Sequence, residues 1–504
     1  MKALKSRILS FAPLASLKKR LTKSHLTERF SRGAFWTLMG NITWRFLSAI
    51  STIAVARILG PKIFGEFGMI YSTINMFSVY AGFRLGTTAT KYVSEHRKKD
   101  PDKAGRILKL TLIASFILCA SAGLILFILS PYLAGNILNN PGLATGLSLG
   151  AFLLFFLVYG EVKQFALAGF ENFKAIAKVN IFRGALTPLL VIPMAYFWGA
   201  EGAIAGLAIV AALMFSRVSI FLRRESVNAR FPERIPLSDV KKEVSILWKF
   251  ALPGFLIGVI TISMMWVGRV ILTRLDNGYV EIGLFTAADQ WRLIILFIPM
   301  VLAPVILPIL SETYGNKSND EFKKAISFQV HSILLITLPL TTLVIGLADF
   351  LALIYGSKFR GVEDIIPILM VSVFFHALNM SLSLIFTSSE KRWINLTMHI
   401  GWGFAFLLGC LVFIPIKGAI GLGITMLIAD VILLSSQVLY IEFTLAPGAL
   451  RRFFKLIVYS IFLFSSAYFA QNQLALNLAI PILCFLFIMS LMPLYLEFRK
   501  KMRN

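Results

Sequence analysis

The chain has 504 residues, of which 57% are apolar and only 15% are charged, and its mean hydropathy is +0.78. Soluble globular proteins carry roughly 45–50% apolar and about 25% charged residues, so this composition excludes an ordinary soluble enzyme and a disordered chain. The net charge is +25, from 50 basic and 25 acidic side chains. In a chain that crosses a membrane many times, Lys and Arg collect in cytoplasmic loops, so the charge requires no nucleic-acid partner.

Residues 1–32 form a basic segment, with nine Lys or Arg and one acid. Their apolar stretch is broken by Pro13 and is followed by no convincing cleavage site, unlike a signal peptide. We expect this segment to be cytoplasmic.

Apolar runs of about 20 residues, the length that crosses a bilayer, follow one another along the rest of the chain. They predict an all-α polytopic membrane protein with fourteen transmembrane helices, so both ends of the chain lie on the same side of the membrane. The predicted spans are residues 33–57, 64–86, 107–130, 145–169, 176–198, 203–222, 249–274, 281–309, 326–348, 365–388, 394–415, 418–441, 453–470 and 475–496.

The basic residues fix the orientation of these spans. With the amino terminus inside, and with Arg57, Lys178, Lys249, Arg274 and Lys455 at the predicted span ends counted with the adjacent segments, the cytoplasmic segments hold 36 of the 50 Lys and Arg, the opposite loops hold 6, and 8 lie within spans. This asymmetry predicts that both termini are cytoplasmic.

Short patterns recur along the chain at a nearly constant separation, which predicts an internal repeat. The recurring positions are Gly65 with Gly283, Tyr132 with Phe350, Glu171 with Glu390 and Gly202 with Gly418. Each copy of the repeat contains six spans. Because six is an even number, the two copies have the same orientation, and their pseudo-two-fold axis is expected to run along the membrane normal. The repeat predicts an N-lobe at 33–222, a cytoplasmic linker at 223–248, a C-lobe at 249–441, two additional helices within 453–496 and a basic cytoplasmic tail at 497–504.

Motifs for enzymatic chemistry are missing from the sequence. It contains no phosphate-binding loop and no dinucleotide fingerprint. Its five His and three Cys are scattered without the spacing of metal ligands. We therefore expect no catalytic residue, no cofactor and no metal site.

Charge inside the membrane is the informative feature, because a Lys or Arg at mid-bilayer costs about 2.5–3.5 kcal/mol on insertion scales. Apart from Glu66 and Glu281 at span ends, three acids fall within the spans: Glu161, Asp289 and Asp430. The eight basic residues counted within the spans are Arg45, Arg84, Lys109, Lys163, Arg183, Arg217, Arg269 and Arg292. Lys109 lies near a cytoplasmic end and can reach the headgroups. Arg84 and Arg217 also lie near that side, and each could either reach the headgroups or line a cavity.

The surplus of positive charge predicts a cationic cavity between the lobes, lined by spans 1, 2, 7 and 8. Arg45 lies at the midpoint of span 1, on a polar stripe with Asn41, and Asn75 belongs to a similar stripe on span 2. Asp289 and Arg292 are three residues apart and can pair on one helix face. Since arginine matches phosphate oxygens with two parallel hydrogen bonds, such a cavity favours anions.

Three segments resemble the polysaccharide flippase family, the Wzx-like branch of the multidrug/oligosaccharidyl-lipid/polysaccharide exporter superfamily. They are ARILGPKIFGEFG (56–68), GTTATKYVSEH (86–96) and LALIYGSKF (351–359). The resemblance implies a transporter and not an enzyme. It implies movement of a polyprenyl-diphosphate-linked oligosaccharide from the cytoplasmic to the outer leaflet by alternating access, for surface polysaccharide biosynthesis. It also implies a monomer in the cell membrane, surrounded by membrane lipid, with glycosyltransferases or a polysaccharide polymerase as partners.

For such a substrate, Arg45, Arg269 and Arg292 are the leading candidates to bind the diphosphate. Four further side chains are weaker candidates for the cavity: Arg183, Lys163, Asn41 and Asn75. Asp289, Glu161 and Asp430 are candidates for a proton or sodium site, or for structural partners of nearby arginines.

Other transport and enzyme functions stay open. A drug/cation antiporter of the same superfamily would favour an acidic cavity and often has an acid in span 1, which this chain lacks. A peptidoglycan-precursor flippase, which also has fourteen spans, is poorly separated by sequence. A membrane-embedded glycosyltransferase or polymerase would need a catalytic carboxylate set and a larger outer loop than 131–144 or 349–364.

Overall fold

The computed structural model describes residues 25–232, 236–241, 243, 245–315, 319–473, 482 and 485–492. Every regular element in these ranges is helical, which confirms the predicted all-α class. The helices are α1 (His25–Gly82), α2 (Leu85–His96), α3 (Pro101–Tyr132), α4 (Ala144–Gly169), α5 (Phe173–Asn228), α6 (Leu237–Lys241), α7 (Ser245–Leu272), α8 (Gly278–Gly315), α9 (Asn319–Gly346), α10 (Ala348–Tyr355), α11 (Val362–Ser388), α12 (Arg392–Tyr440) and α13 (Arg451–Gln473). Single π-helical turns at Leu133–Ile137 and Ile441–Leu445 extend α3 and α12.

Among the described residues, eight helical segments are long and apolar enough to cross a membrane. Three of them, within α1, α5 and α12, are 47, 56 and 54 residues long. A straight helix as long as the second of these would measure about 84 Å, whereas the hydrocarbon core of a bilayer is only about 30 Å thick. Each of these three segments is therefore long enough for two crossings.

A glycine breaks each of the three long helices at the turn predicted between two spans. Gly60, Gly199 and Gly418 have φ values of 73°, 61° and 53°. A side chain in this left-handed region would crowd the backbone, and glycine avoids that penalty. The breaks divide α1, α5 and α12 in agreement with the predicted boundaries of spans 1 and 2, 5 and 6, and 11 and 12.

The total of fourteen spans stays a prediction, because several predicted segments lie wholly or partly outside the described residues. The tail 497–504 and residues 1–24 are outside these ranges, and the linker 223–248 and span 475–496 are described only in part. The division of the chain into two lobes also stays a prediction at this point.

Two backbone features recur at the separation that the repeat predicts. Glu171 and Glu390, each in the turn after a long helix, have φ values of 62° and 60°. Gly199 and Gly418, at the breaks of α5 and α12, share the same unusual conformation, with ψ values of −140° and −129°. The spacing within the glycine pair equals that within the glutamate pair, so the same local geometry occurs twice at equivalent positions.

The predicted equivalence of Gly202 and Gly418 is wrong by one helical turn. A Cβ atom on Gly202 would lie 1.9 Å from the carbonyl oxygen of Met194, and one on Gly421 would lie 2.1 Å from that of Phe413. Gly202 is therefore equivalent to Gly421, at the same spacing as Glu171 and Glu390. The tripeptide Gly-Ala-Ile begins three residues after the break in α5 but at the break itself in α12. Close backbone packing, and not the matching tripeptide, therefore defines the equivalent position.

The first and second parts of the chain meet through α1, which packs against α7 and α8 as well as against α5. In the second part, α8 packs against α11, and α7 packs against α12. Aromatic side chains fill the junction at one end, where the rings of Phe64 and Phe359, both buried, lie 6.0 Å apart. The pairing of α1 with α7 and α8 positions the intramembrane arginines described next.

Candidate functional site

Arg45 lines a cavity of about 380 Å³ between the first part of α1 and the middle of α8. Its neighbours are weak partners for a cation: its guanidinium lies 5.3 Å from the ring centroid of Phe297 and 3.8 Å from the sulfur of Met300. Among the described residues, no carboxylate forms a salt bridge with Arg45. This guanidinium is therefore left without an anionic partner in a mainly apolar cavity.

The rest of the cavity wall is aromatic and aliphatic, with few polar groups. Trp44, Phe46 and Ile294 line it together with Gln290 and Trp291. The indole nitrogen of Trp291 is buried and has no hydrogen-bond partner among the described residues. A buried donor without a partner is costly, but this N–H is not accessible from the cavity as the side chain lies. The sequence patterns did not single out Trp291, because Trp counts as an apolar residue in a search for polar stripes.

Asp289 holds two arginines from different helices. Its carboxylate oxygens lie 2.5 Å from Nε of Arg292, on the same helix, and 3.5 Å from a terminal nitrogen of Arg269, on α7. The first contact follows from the spacing of the two residues on one helix, as predicted, whereas the second joins α7 to α8. One carboxylate between two guanidinium groups leaves this triad with a net charge of +1.

The triad and the Arg45 cavity lie on neighbouring residues of α8. Gln290 and Trp291 line the cavity, and they stand between Asp289 and Arg292 in the sequence. Successive residues of a helix point about 100° apart, so the two groups occupy adjacent faces. The structure thus brings three of the leading candidates to one region between α1, α7 and α8.

Arg183, on α5, adjoins this region because it packs against the ring of Trp44. Its guanidinium lies 4.3 Å from the ring centroid of Trp44, which lines the Arg45 cavity. On its other side, Arg183 shares a small void of about 20 Å³ with Glu161, which is room for about one water molecule. Tyr71, which lies beside Asn75, interacts electrostatically with both of these charges. Asn75 therefore belongs to the Arg183–Glu161 group.

Asn41 takes part in a chain of side-chain amides that joins three helices. Gln164 on α4 donates to Asn180 on α5 at 2.9 Å, and Asn180 donates to Asn41 on α1 at 2.8 Å. Asn180 is 4% exposed, so the chain satisfies amides that would otherwise be buried without partners. The geometry gives Asn41 a packing role that its polar stripe did not indicate.

Lys163 lies next to Gln164 on α4 but makes separate contacts. It donates to the hydroxyl of Ser219 on α5 at 2.8 Å, and its ammonium lies 4.1 Å from the ring centroid of Phe215 and 4.6 Å from that of Tyr159. Cation–π contacts of this kind stabilise a desolvated ammonium. Lys163 does not line the Arg45 cavity.

Asp430 is 1% exposed and occupies a separate polar cluster between α11 and α12. Ser372 donates to one of its carboxylate oxygens at 3.0 Å, and Trp402 donates to the other at 3.2 Å. The second oxygen also lies 3.2 Å from Nδ1 of His376. Unlike Asp289, this carboxylate therefore has a histidine, and not an arginine, as its titratable neighbour among the described residues. No sequence pattern pointed to His376, because the contact joins residues on two different helices.

Known proteins with related sequences are polysaccharide exporters. The chain is 24% identical over 284 residues to the "EPS I polysaccharide export inner membrane protein EpsE" of Ralstonia nicotianae, and 23% identical over 287 residues to the protein of that name from Ralstonia solanacearum. Each match covers 55% of this chain and 63% of the relative. The chain thus aligns with less than two thirds of the length of these relatives.

Solved structures show the same fold at low sequence identity. The structure of "Lipid II flippase MurJ, inward closed conformation" matches 94% of this chain and 99% of its own, with a TM-score of 0.69 and 13% identity. An inward-facing multidrug resistance MATE family transporter of the MOP superfamily matches 84% of this chain and 99% of its own, with a TM-score of 0.66 and 15% identity. The chain therefore has the fold of this group of membrane transporters.

The family itself is shown by a sequence model described as "Polysaccharide biosynthesis protein", which matches residues 30–314. The matched region contains nearly all of α1 to α8 and therefore all of the residues between α1, α7 and α8 described above. Because the match covers more than half of the 504 residues, the chain belongs to the polysaccharide biosynthesis protein family.

Proposed function

We propose that the protein is a flippase that moves a polyprenyl-diphosphate-linked oligosaccharide from the cytoplasmic to the outer leaflet by alternating access. The observation that carries this proposal is Arg45, a guanidinium in a mainly apolar cavity of about 380 Å³ with no carboxylate partner in the described part of the chain. A cavity of this kind suits a ligand that is both anionic and lipophilic.

The two parts of such a substrate match different parts of the cavity. Diphosphate oxygens accept paired hydrogen bonds from a guanidinium, and these bonds strengthen where water is excluded. The apolar wall, formed by side chains such as Phe46 and Ile294, suits the first isoprene units of the lipid. The sugar head, which cannot enter hydrocarbon without losing its hydrogen bonds to water, would occupy the space between the two halves of the protein.

Further positive charge lies close to this cavity. The triad of Arg269, Asp289 and Arg292 retains one net positive charge, and Arg183 lies behind Trp44. We assign Arg45 to the diphosphate, with Arg269 and Arg292 as supporting charges and Arg183 as an outer contributor. The contact of Lys163 with Ser219 favours a structural role for that residue.

The proposal includes a two-lobed protein with fourteen spans and both termini in the cytoplasm. Lobes at 33–222 and 249–441 are supported by the backbone geometry that recurs at one constant spacing along the chain. The asymmetric distribution of basic residues supports the orientation. The wording "inner membrane" and "polysaccharide export" in the name of the Ralstonia relatives supports a cytoplasmic membrane location and a surface polysaccharide as the final product. We expect a monomer that works alongside glycosyltransferases or a polymerase.

Two related functions are alternatives. The similarity to a lipid II flippase favours a peptidoglycan precursor as the second candidate substrate, and this precursor is also a lipid diphosphate. The similarity to multidrug transporters gives less support to a cation antiporter, because the Arg45 cavity would repel cations.

Coupling to an ion gradient is assigned to Asp430. Asp289 is engaged by two arginines and Glu161 lies beside Arg183, so their charges are balanced locally. Asp430 accepts hydrogen bonds from Ser372 and Trp402 and lies beside His376, and no Lys or Arg among the described residues forms a salt bridge with it.

The test is flipping in proteoliposomes that contain the purified protein and a fluorescent polyprenyl-diphosphate oligosaccharide. We expect the wild type to move the lipid and Arg45→Ala to lose this activity, with Arg217→Ala as a control, since that intramembrane arginine lies over the ring of Phe182, away from the cavity. Lipid II is assayed in parallel to separate the two candidate substrates. Failure of the wild type to move either lipid, together with export of a cationic drug, would overturn the proposal.

A further inference from the structure

At one end of the helices, two arginines make the same contact in opposite directions between the two halves of the chain. Arg57, at the end of the first part of α1, donates from Nε to the carbonyl of Ile354 at 2.6 Å and from a terminal nitrogen to that of Leu353 at 3.4 Å. Arg274, just after α7, donates from a terminal nitrogen to the carbonyls of Asn136 at 3.1 Å and Ile137 at 3.2 Å.

These contacts are related by the internal repeat. The spacing in sequence between Arg57 and Arg274 equals the spacing between their acceptors Ile137 and Ile354. Each half therefore supplies one arginine and one acceptor site to the other half. A contact that arises twice, with the roles of the two halves exchanged, is the arrangement expected across a pseudo-two-fold axis.

The acceptors are carbonyl groups at the ends of helices. Leu353 and Ile354 lie in the last turn of α10, and Asn136 and Ile137 end the π-helical turn that extends α3. Carbonyls in the last turn of a helix carry a partial negative charge, although that of Leu353 also accepts from the backbone N–H of Gly356. A guanidinium with several donors can bond two such carbonyls at once, so each arginine caps a helix of the opposite half.

The backbones of α1 and α8 meet between the two arginine contacts. A Cβ atom on Gly65 would lie 1.8 Å from the carbonyl oxygen of Tyr279, and one on Gly283 would lie 1.9 Å from that of Pro61. Both pairs are again reciprocal, with Gly283 equivalent to Gly65 and Tyr279 equivalent to Pro61. The hydroxyl of Tyr279 also donates to the carbonyl of Leu138 at 2.6 Å. The two halves are thus closely joined at this end of the cavity.

We propose that Arg57 and Arg274 form a two-part clamp that keeps the outer end of the transport cavity closed and must release for the cavity to open outward. The clamp rests on the proposed function, because it assumes that this end faces away from the cytoplasm and that the halves separate there during transport. Each arginine holds the opposite half by hydrogen bonds to backbone carbonyls and not by a salt bridge to a carboxylate. Both guanidinium groups can therefore be hydrated when the halves separate. Both side chains are exposed, which limits the strength of each contact and keeps the clamp reversible.

The experiment measures access to the cavity from outside. Cys119, Cys410 and Cys484 are replaced by Ala, Ser48 in the cavity wall is changed to Cys, and cells are treated with a membrane-impermeant maleimide. We expect Arg57→Ala or Arg274→Ala to raise the labelling rate about threefold to tenfold. The double variant should rise by about the product of the two factors, because both contacts stabilise the same closed state.

The controls separate the clamp from general damage and from the proposed function. Arg360→Ala, at an exposed arginine of the same end, should leave the labelling rate unchanged, and Arg57→Lys should have a smaller effect than Arg57→Ala. Labelling by a membrane-permeant maleimide should be equal in all variants if they are folded. A folded double variant labelled at the wild-type rate, or one whose labelling increases only in inverted vesicles, would overturn the clamp. If labelling responds as expected but no lipid-linked oligosaccharide is flipped, the clamp stands and the proposed function fails.

Discussion

Replacing Asp289 by Asn should destabilise the protein by leaving two intramembrane arginines without their shared anion. Asp289 lies 2.5 Å from Arg292 and 3.5 Å from Arg269, and the three side chains are only 13%, 20% and 12% exposed. Removal of one partner from a buried ion pair costs about 3–5 kcal/mol. Because these side chains retain some exposure, we expect a loss near the lower end, about 3 kcal/mol.

A second substitution should restore much of this loss. Asp289→Asn raises the charge of the triad from +1 to +2, and adding Arg269→Gln returns it to +1. Arg292 then keeps the amide oxygen of the introduced asparagine as an acceptor. In a double-mutant cycle the coupling energy between the two positions should favour the double variant by about 1–3 kcal/mol.

The assay is thermal unfolding of the purified protein in detergent, followed by intrinsic tryptophan fluorescence. Asp276→Asn is the matched control, since Asp276 is exposed in the turn between α7 and α8. An Asp289→Asn variant as stable as the control would refute the structural role of this carboxylate. A double variant destabilised by the sum of the single effects would refute the coupling, and Asp289 would return as a candidate for ion binding.

Three other substitutions test the site and the closed end. Arg45→Ala should abolish export while the protein is still inserted, and Arg45→Lys should keep part of the activity; full export by the Ala variant in a complemented deletion strain would remove Arg45 from the site. Asp430→Asn keeps acceptor and size but not charge, so flipping should no longer respond to an imposed pH gradient in proteoliposomes, and an unchanged response would exclude Asp430. Gly65→Ala would place a Cβ 1.8 Å from the oxygen of Tyr279, so it should increase labelling of the cavity from outside, whereas Gly135→Ala, with no atom within 4 Å, should not.

Local sequence signals predicted the parts of this protein that depend on local chain geometry. Apolar run length predicted the long helices, and the turns predicted between paired spans contain the glycines at which α1 and α5 break. Spacing on one helix predicted the contact of Asp289 with Arg292. These features need only the backbone conformation of one segment, which composition and periodicity largely determine.

The same sequence patterns did not predict contacts between different helices. The sequence indicated neither that Arg269 shares the carboxylate of Asp289 nor that Asn180 links Asn41 to α4. Such contacts depend on which helices are neighbours and on their rotation about their own axes, and a one-residue change in rotation turns a side chain by about 100°. The polar stripe alone therefore placed Asn41 at the cavity, although the structure gives it an amide partner.

The structure changes the interpretation of the surplus positive charge within the spans. Among the arginines proposed for the cavity, Arg269 and Arg292 share Asp289, and Arg183 lies between Trp44 and the void that it shares with Glu161. Among the described residues, Arg45 has only aromatic and thioether neighbours for its guanidinium. An anionic substrate would therefore gain most from Arg45, because binding there requires no ion pair to be broken first. The effect of each arginine on flipping should follow this order, with the largest loss for Arg45→Ala and smaller losses for the arginines that already have a carboxylate nearby. Equal losses at all four positions would show that the summed charge, and not the unpaired guanidinium, determines binding.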